Sequence, residues 1–113
     1  GPVIDGQVAG KVGKEFTKEE AYVFSRNSML NVLAVLQSRI GDLNKVKQVV
    51  KILVYVASDD DFYEQPYVAN GGSQLLVDLF GEEAGAPTRS AVGMNVLPGN
   101  IPVETEAIFE IEE

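Results

Sequence analysis

The chain has 113 residues, with 17 acidic and 9 basic side chains and a formal net charge of −8 at pH 7. It contains neither histidine nor cysteine, which excludes Ser-His-Asp and Cys-His catalysis, disulfides, and metal sites built on imidazole or thiolate. We therefore expect no metal and no cofactor. Any chemistry must come from carboxylates, amides, hydroxyls, Arg, Lys or backbone groups.

Hydrophobic residues make up 45% of the chain, and no apolar stretch is long enough to cross a bilayer. These features predict one soluble domain over residues 1–113 without membrane contact. No signal peptide is visible, so the cytoplasm is the expected location. An acidic chain without a Lys/Arg cluster is a poor partner for nucleic acid, because phosphate neutralisation supplies most of that affinity.

The first predicted elements are a turn-rich segment and a long helix. Three glycines within Val3–Gly13 indicate turns and short extended pieces. Thr17 and Glu20 form a capping-box pair, which predicts that a helix starts there and covers Ala21–Ile40, with Gly41 as a left-handed C-terminal cap. The predicted buried stripe consists of the small or apolar residues at helical spacing: Ala21, Phe24, Ser25, Ser28, Val32, Val35 and Leu36.

A central β-strand is predicted over Val46–Ser58, which is rich in β-branched residues and apolar on both faces. The face expected to pack on the helices is aliphatic and contains Val50, Ile52, Val54 and Val56. The other face mixes apolar groups with a charge and contains Val49, Lys51, Leu53, Tyr55 and Ala57. A monomer this small has little left to cover the second face, so we expect self-association through the sheet.

A second helix is predicted from about Gln65 to Phe80, with Pro66 in its first turn and Gly81 as its stop. The acidic turn 59–61 is expected to lie at the N-terminus of that helix, where the helix dipole stabilises negative charge. The predicted apolar stripe is Tyr67, Val68, Leu75, Leu76, Leu79 and Phe80. Two glycines inside the helix, at 71 and 72, cost roughly 1 kcal/mol each relative to alanine. Close backbone packing is the favoured compensation, with a ligand as the alternative.

Two further strands are predicted over Arg89–Leu97 and Ile101–Glu112, joined by a turn at residues 98–100. We interpret them as a hairpin, which would bring Arg89 and either Glu104 or Glu106 near the same end of the sheet. The order is then β–α–β–α–β–β, and the fold class is α+β, with the helices on one face of a mixed sheet.

Arg89 is the only basic residue in 52–113, a region with twelve Asp or Glu side chains. Its planar guanidinium has five N–H donors, which suit two-point binding of a carboxylate. Two interpretations stay open at this point: a ligand anchor, or a structural ion pair with a nearby glutamate.

The C-terminal segment "PTRSAVGMNVLPGNIPVETEAIFEIEE" resembles the signature of the YjgF family of reactive-intermediate deaminases, also called endoribonuclease L-PSP proteins. The shared features are an Arg-Ser pair, a Leu-Pro turn and a Glu-x-Glu-Ala strand. Further similarity lies in "DFYEQPYVANG" and in the "GKVG…T.EE.Y" pattern of a YjgF-like subfamily. The resemblance implies a chorismate-mutase-like fold and a homotrimer, with sheets lining a central barrel and a ligand pocket in each cleft between subunits. Gly1 aligns after the family's first strand, so we expect this chain either to be truncated or to close its barrel differently.

The resemblance also implies roles for individual residues. Arg89 matches the arginine that binds the substrate carboxylate, and Glu104 matches the glutamate that holds the attacking water. Asn70 corresponds to a pocket-lining asparagine, Ser90 follows the arginine, and Ala91 replaces the family's cysteine or comparable small residue. The implied reaction is hydrolysis of an amino-acid-derived enamine or imine to a 2-keto acid and ammonia, so the expected partners are a small carboxylate or imine and two further copies of the chain.

The sequence leaves three candidate functions. The first is the deaminase, and the second is a ligand-binding or regulatory trimer with the same pocket but no turnover. A ribonuclease is disfavoured, because the chain has no basic groove and no acid–base pair suited to neutral pH. Glu104 also fits a simple surface position, since glutamates alternate along its strand, and Asn70 fits a helix-surface amide.

Overall fold

Two helices pack on one face of a three-stranded mixed sheet in the computed structural model, which describes residues 8–113. The elements are α1 (Lys18–Ile40), β1 (Val46–Ala57), α2 (Gln65–Gly85), β2 (Thr88–Met94) and β3 (Val103–Ile111), with 3-10 turns at Leu43–Lys45 and Pro98–Asn100. The α+β prediction is confirmed. Residues 1–7, which include part of the predicted turn-rich segment, lie outside the described residues. None of the helices described is both long and apolar enough to cross a membrane.

The ends of α1 are those that the sequence predicts. The Thr17 hydroxyl accepts from the Glu20 N–H at 3.1 Å, and the Glu20 carboxylate accepts from the Thr17 N–H at 3.0 Å. Gly41 has φ 87°, and its N–H donates to the Gln37 carbonyl. Such reciprocal capping satisfies backbone groups that a helix end leaves unpaired.

The buried stripe of α1 differs in part from the predicted one. Ala21, Ser25 and Ser28 are buried as expected, but so are Met29 and Leu33, whereas Val35 is 56% exposed. Apolar side chains lie on all sides of α1, so their spacing does not define a single buried face. Which apolar side chains of α1 are buried depends on the contacts of the helix with both α2 and β3.

α2 begins at Gln65 with a proline in its first turn, as predicted, but the acidic turn 59–61 does not cap it. Glu64 occupies the N-cap position, and its side chain makes no hydrogen bond there. Gly81 has φ 86° and interrupts the helix, and one more helical stretch then continues to Gly85. A glycine is needed at that point because positive φ is unfavourable for other residues.

The paired glycines of α2 serve helix packing. A Cβ on Gly71 would collide with the carbonyl oxygen of Tyr22 in α1. The adjacent Gly72 donates its N–H to the Ser25 hydroxyl at 3.1 Å. The prediction that close packing offsets the cost of these glycines is confirmed, and it fixes how α2 is turned relative to the sheet.

The strand order is β2-β1-β3, with β1 parallel to β2 and antiparallel to β3. The predicted hairpin is therefore wrong, because β2 and β3 lie on opposite sides of β1. After β2 the chain crosses the C-terminal end of β1: Ser58 N–H donates to the Met94 carbonyl, and Ala57 N–H donates to the Pro102 carbonyl. β1 is the most apolar strand, and the central place buries it best.

The faces of β1 switch near its start. Ile52, Val54 and Val56 are buried under the helices as predicted, but Val50 is 44% exposed and Val49 is fully buried. The pairing of β1 with β3 shifts register between Val49 and Lys51 and once more near Val46. A β-bulge inserts an extra residue on one strand and so reverses the alternation beyond it.

Candidate functional site

Arg89 lies on β2 opposite Ile52, on the side of the sheet that faces the helices. Its Nη1 donates to Asn70 Oδ1 at 2.7 Å and to Ser73 Oγ at 3.1 Å. Both acceptors are on α2, three residues apart, a spacing that places two side chains on one helix face. The structure thus brings Arg89 and Asn70 together and adds Ser73 to them.

The surroundings of Arg89 leave its charge unneutralised. Within residues 8–113 the one salt bridge is between Lys18 and Glu64, so no described carboxylate pairs with Arg89. Asn70 and Ser73 are neutral acceptors, which hold the guanidinium without cancelling its charge. The structural ion pair, left open by the sequence, is not what the described residues form.

A groove of about 190 Å³ adjoins the guanidinium, and apart from Arg89 its lining is uncharged: Ser73, Val77, Gly85, Ala86 and Pro87. Such a site combines one cationic donor group with a mostly apolar wall. It is small compared with sites for drug-sized ligands, which measure roughly 300–1,000 Å³. The groove therefore suits a compact anion with a short carbon chain.

The two residues after Arg89 face in opposite directions. Ser90 pairs with Leu53 and is exposed, while Ala91 pairs with the buried Val54 and packs against the core. Because side chains alternate along a strand, Ala91 shares the helix-facing side with Arg89 and Ser90 does not. The Ser90 side chain is therefore directed away from the Asn70–Ser73–Arg89 cluster.

Glu104 lies on the far side of the central strand from Arg89. It pairs with Tyr55 on β1, three positions beyond the partner of Arg89. Arg89 and Glu104 are therefore separated by about 10 Å across the strands and by about 10 Å along them. The prediction that a hairpin places Arg89 and Glu104 side by side near one end of the sheet is wrong, because β1 separates the two strands that carry them.

The sheet face near Glu104 is rich in carboxylates. The Tyr55 hydroxyl donates to Glu106 Oε1 at 2.9 Å. That hydrogen bond, followed by burial and by the charges of Glu106 and Glu104, raises the pKa of Tyr55 above its ordinary value. A larger cavity of about 490 Å³ lies between α1 and the outer edge of β3, and Glu104 lines it together with Val32, Val35 and Thr105.

No group of three or more acidic side chains within residues 8–113 is placed to hold a metal ion. Ser73 is the residue that sequence reasoning missed. Its only signal was its position three residues after Asn70, on the opposite side of α2 from the glycines that face α1.

Residues 2–105 match the family described as "YjgF/chorismate mutase-like, putative endoribonuclease". A relative, Protein TCP17 of Trypanosoma cruzi, is 42% identical over 108 residues. That alignment covers 96% of this chain and 68% of the relative.

Two solved structures are similar over most of the chain. The protein Atu1372 of Agrobacterium tumefaciens, whose function is unknown, has a TM-score of 0.93 and 38% identity, and the match covers 98% of this chain and 71% of that one. A "putative endoribonuclease" from Shewanella oneidensis has a TM-score of 0.91 and 28% identity, with coverage of 97% and 74%.

Proposed function

Because the chain belongs to the YjgF/chorismate mutase-like family, we propose that it binds a small amino-acid-derived imine or enamine through the carboxylate and hydrolyses it to a 2-keto acid and ammonia. The observation that carries the proposal is the state of Arg89. Its guanidinium is fixed by neutral Asn70 and Ser73, is unpaired with any described carboxylate, and adjoins a groove with no other charge.

Arg89 is suited to hold the carboxylate because charge-assisted, two-point hydrogen bonds fix both position and orientation. The ligand's C=N carbon is then kept at one place relative to the protein. Positioning is a large part of the acceleration that such a hydrolysis needs, because free imines already react with water.

We place Glu104 in the same site by assembly of a second copy. In one chain Arg89 lies on the β2 edge and Glu104 on the β3 strand, too far apart to act together. The face of the sheet away from the helices carries exposed apolar side chains, including Val92, Met94 and Ile108. A homotrimer that buries this face would let Arg89 of one copy share a cleft with Glu104 of its neighbour.

The reaction balances without a cofactor. Water adds to the imine carbon, and Glu104 accepts the proton that the water loses. The same proton moves to nitrogen and gives a carbinolamine, with one hydroxyl and one amino group on the former imine carbon. Glu104 then carries the hydroxyl proton to the amino nitrogen, the C–N bond breaks, and ammonia leaves as the C=O bond of the 2-keto acid forms. An enamine first tautomerises to the imine, gaining a proton on its β-carbon and losing one from nitrogen. Every electron pair stays within the substrate, the water and one carboxylate.

A non-catalytic carboxylate-binding trimer is the second candidate. Two observations favour it: Glu104 and Arg89 are apart within the chain, and Ala91 offers no functional group next to the arginine. Binding of a carboxylate at Arg89 requires neither Glu104 nor a functional group at position 91.

Turnover above the spontaneous rate decides between these functions. An amino-acid oxidase generates the imine in situ, and release of ammonia and keto acid is followed with and without the protein. Arg39→Lys, at the exposed end of α1, is the matched control for Arg89→Lys. Catalysis predicts acceleration that Arg89→Lys loses and Arg39→Lys keeps, whereas background rates with retained keto-acid binding identify the binder.

The assembly is tested separately. Light scattering at micromolar concentration should give about three times the chain mass of 12.2 kDa if the interface is large and apolar. A monomer would overturn the shared cleft.

A further inference from the structure

The hydrogen bonds of Arg89 leave one edge of its guanidinium available. A guanidinium has two N–H groups on Nη1, two on Nη2 and one on Nε. Nη1 donates to Asn70 and to Ser73, which accounts for both of its hydrogens. Within residues 8–113, neither Nε nor Nη2 has a hydrogen-bond partner.

We propose that Asn70 and Ser73 are positioning residues, which orient Arg89 so that a 2-keto or imino acid binds side-on, with its carboxylate on Nε and Nη2. This inference rests on the proposed role of Arg89 as carboxylate anchor. End-on binding between Nη1 and Nη2 would need a hydrogen that α2 already uses. Side-on binding needs none, and it offers the parallel pair of N–H bonds that a carboxylate accepts.

The α2 backbone makes this arrangement rigid. Gly71 and Gly72 are pressed against α1, and Gly72 is hydrogen-bonded to Ser25. Asn70 and Ser73 flank these glycines in sequence and face the other way, toward β2. A side chain tethered at two points on a packed helix loses little freedom when a ligand binds, which favours affinity.

Both tethers are neutral, and that choice has a chemical consequence. An aspartate in place of Asn70 would hold Nη1 equally well but would compete for the charge that a ligand carboxylate needs. Asn and Ser fix the plane of the guanidinium and leave its full charge for the ligand.

The test uses the whole chain, pyruvate as the probe, and 15N-labelled arginine. The Nε–H resonance of Arg89 is assigned by its loss in Arg89→Lys, and Arg26 and Arg39 serve as internal references. Pyruvate should move the Arg89 Nε–H proton downfield and slow its exchange with water, because side-on binding makes a hydrogen bond at that atom. The references should stay in place.

Ser73→Ala should raise the Kd for pyruvate about threefold to tenfold, the range expected for the net contribution of one ordinary hydrogen bond. Ser73→Thr keeps the hydroxyl and should restore the wild-type Kd and Nε–H shift. Ser38→Ala is the matched control, since it removes a helical hydroxyl whose bond is to the Val35 carbonyl on α1. Circular dichroism confirms that each variant is folded.

Three outcomes overturn the inference and can be told apart. Arg89-dependent binding without movement of the Nε–H resonance rejects side-on geometry and leaves the proposed function standing. Equal affinity of Ser73→Ala and Ser38→Ala rejects Ser73 as a positioning residue, also without harm to the proposed function. Failure of the wild-type protein to bind pyruvate or other small 2-keto acids rejects the proposed function together with the inference.

Discussion

The strands on either side of β1 present their functional side chains in opposite ways. On β2, Arg89 is turned toward the helices and is held at a fixed place by two acceptors from α2. On β3, Glu104 and Glu106 lie on the other face of the sheet, near Tyr55. One strand carries an oriented cation and the other a group of carboxylates, with β1 between them. A site that needs both must draw on two copies of the chain.

The largest expected effect separates the roles of the two strands. Glu104→Gln should slow turnover of an in-situ imine about 100-fold, because it removes the proton acceptor for the attacking water. Pyruvate affinity should hardly change, since the carboxylate is bound by Arg89. Calorimetry and ammonia release on the same sample measure both quantities, and a parallel loss of binding would place Glu104 in the carboxylate site instead.

Arg89→Lys should weaken ligand binding, and with it turnover. Lysine keeps the charge but lacks the planar fork, so carboxylate binding should weaken by roughly 1–3 kcal/mol while the fold persists. Calorimetry with a 2-keto acid gives the affinity, and Arg39→Lys is the control. Unchanged affinity, or collapse of the assembly, would assign Arg89 a structural role.

Asn70→Asp tests whether the neutrality of the tether matters. The new carboxylate would lie where Asn70 Oδ1 is now, 2.7 Å from Nη1. It should lower pyruvate affinity about tenfold by neutralising the guanidinium, although the hydrogen bond itself is kept. A variant that binds pyruvate as tightly as wild type would reject this account.

Mixing variants tests the shared cleft directly. Arg89→Lys and Glu104→Gln chains, each inactive alone, are refolded together in equal amounts. If each site takes its arginine and its glutamate from different copies, about a quarter of the sites contain both wild-type residues. Activity should return to that fraction of wild type, whereas a site built within one chain stays inactive in every mixture.

The smallest expected effect concerns Tyr55. Its pKa is raised chiefly by the hydrogen bond to Glu106, with a lesser effect of Glu104. Glu106→Gln should therefore lower the pKa of Tyr55 more than Glu104→Gln does, as followed by tyrosinate absorbance. Since the folded-state pKa lies above the unfolded one, the associated stability is complete below about pH 10 and is lost as the pH rises through the folded-state value. Tyr55→Phe should remove the tyrosine transition that responds to Glu106→Gln.

Local signals in the sequence predicted local structure well. The capping box at Thr17 and the close packing of the paired glycines follow from local residue chemistry, and the structure confirms them. Gly81 interrupts α2 but does not end it, since the helix continues to Gly85. Strand pairing does not follow in this way. The turn at residues 98–100 predicts that the chain reverses, but the identity of each strand's neighbour depends on β1, more than forty residues earlier.

The candidate site shows the same difference between local sequence signals and long-range contacts. Arg89 could be found from the sequence because a single cation in an acidic half-chain is conspicuous by its charge. Ser73 could not, because a serine inside a helix gives no indication of its partner until strand and helix are docked. The place of Glu104 relative to Arg89 depends on the strand order, which the predicted hairpin gives incorrectly.

Residues 70–73 of α2 serve both stability and ligand affinity, because two of them pack on α1 and the other two hold Arg89. Both contacts depend on how α2 is rotated about its own axis. Each added residue turns the following part of an α-helix by about 100°. An insertion between Tyr67 and Asn70 would move the glycines off α1 and the two tethers off Arg89 in a single step. The helix is already interrupted at Gly81, so an insertion after Gly81 would leave the rotation of residues 70–73 about the helix axis unchanged. Insertions should therefore be tolerated after Gly81 and should abolish both folding and binding when placed before Asn70.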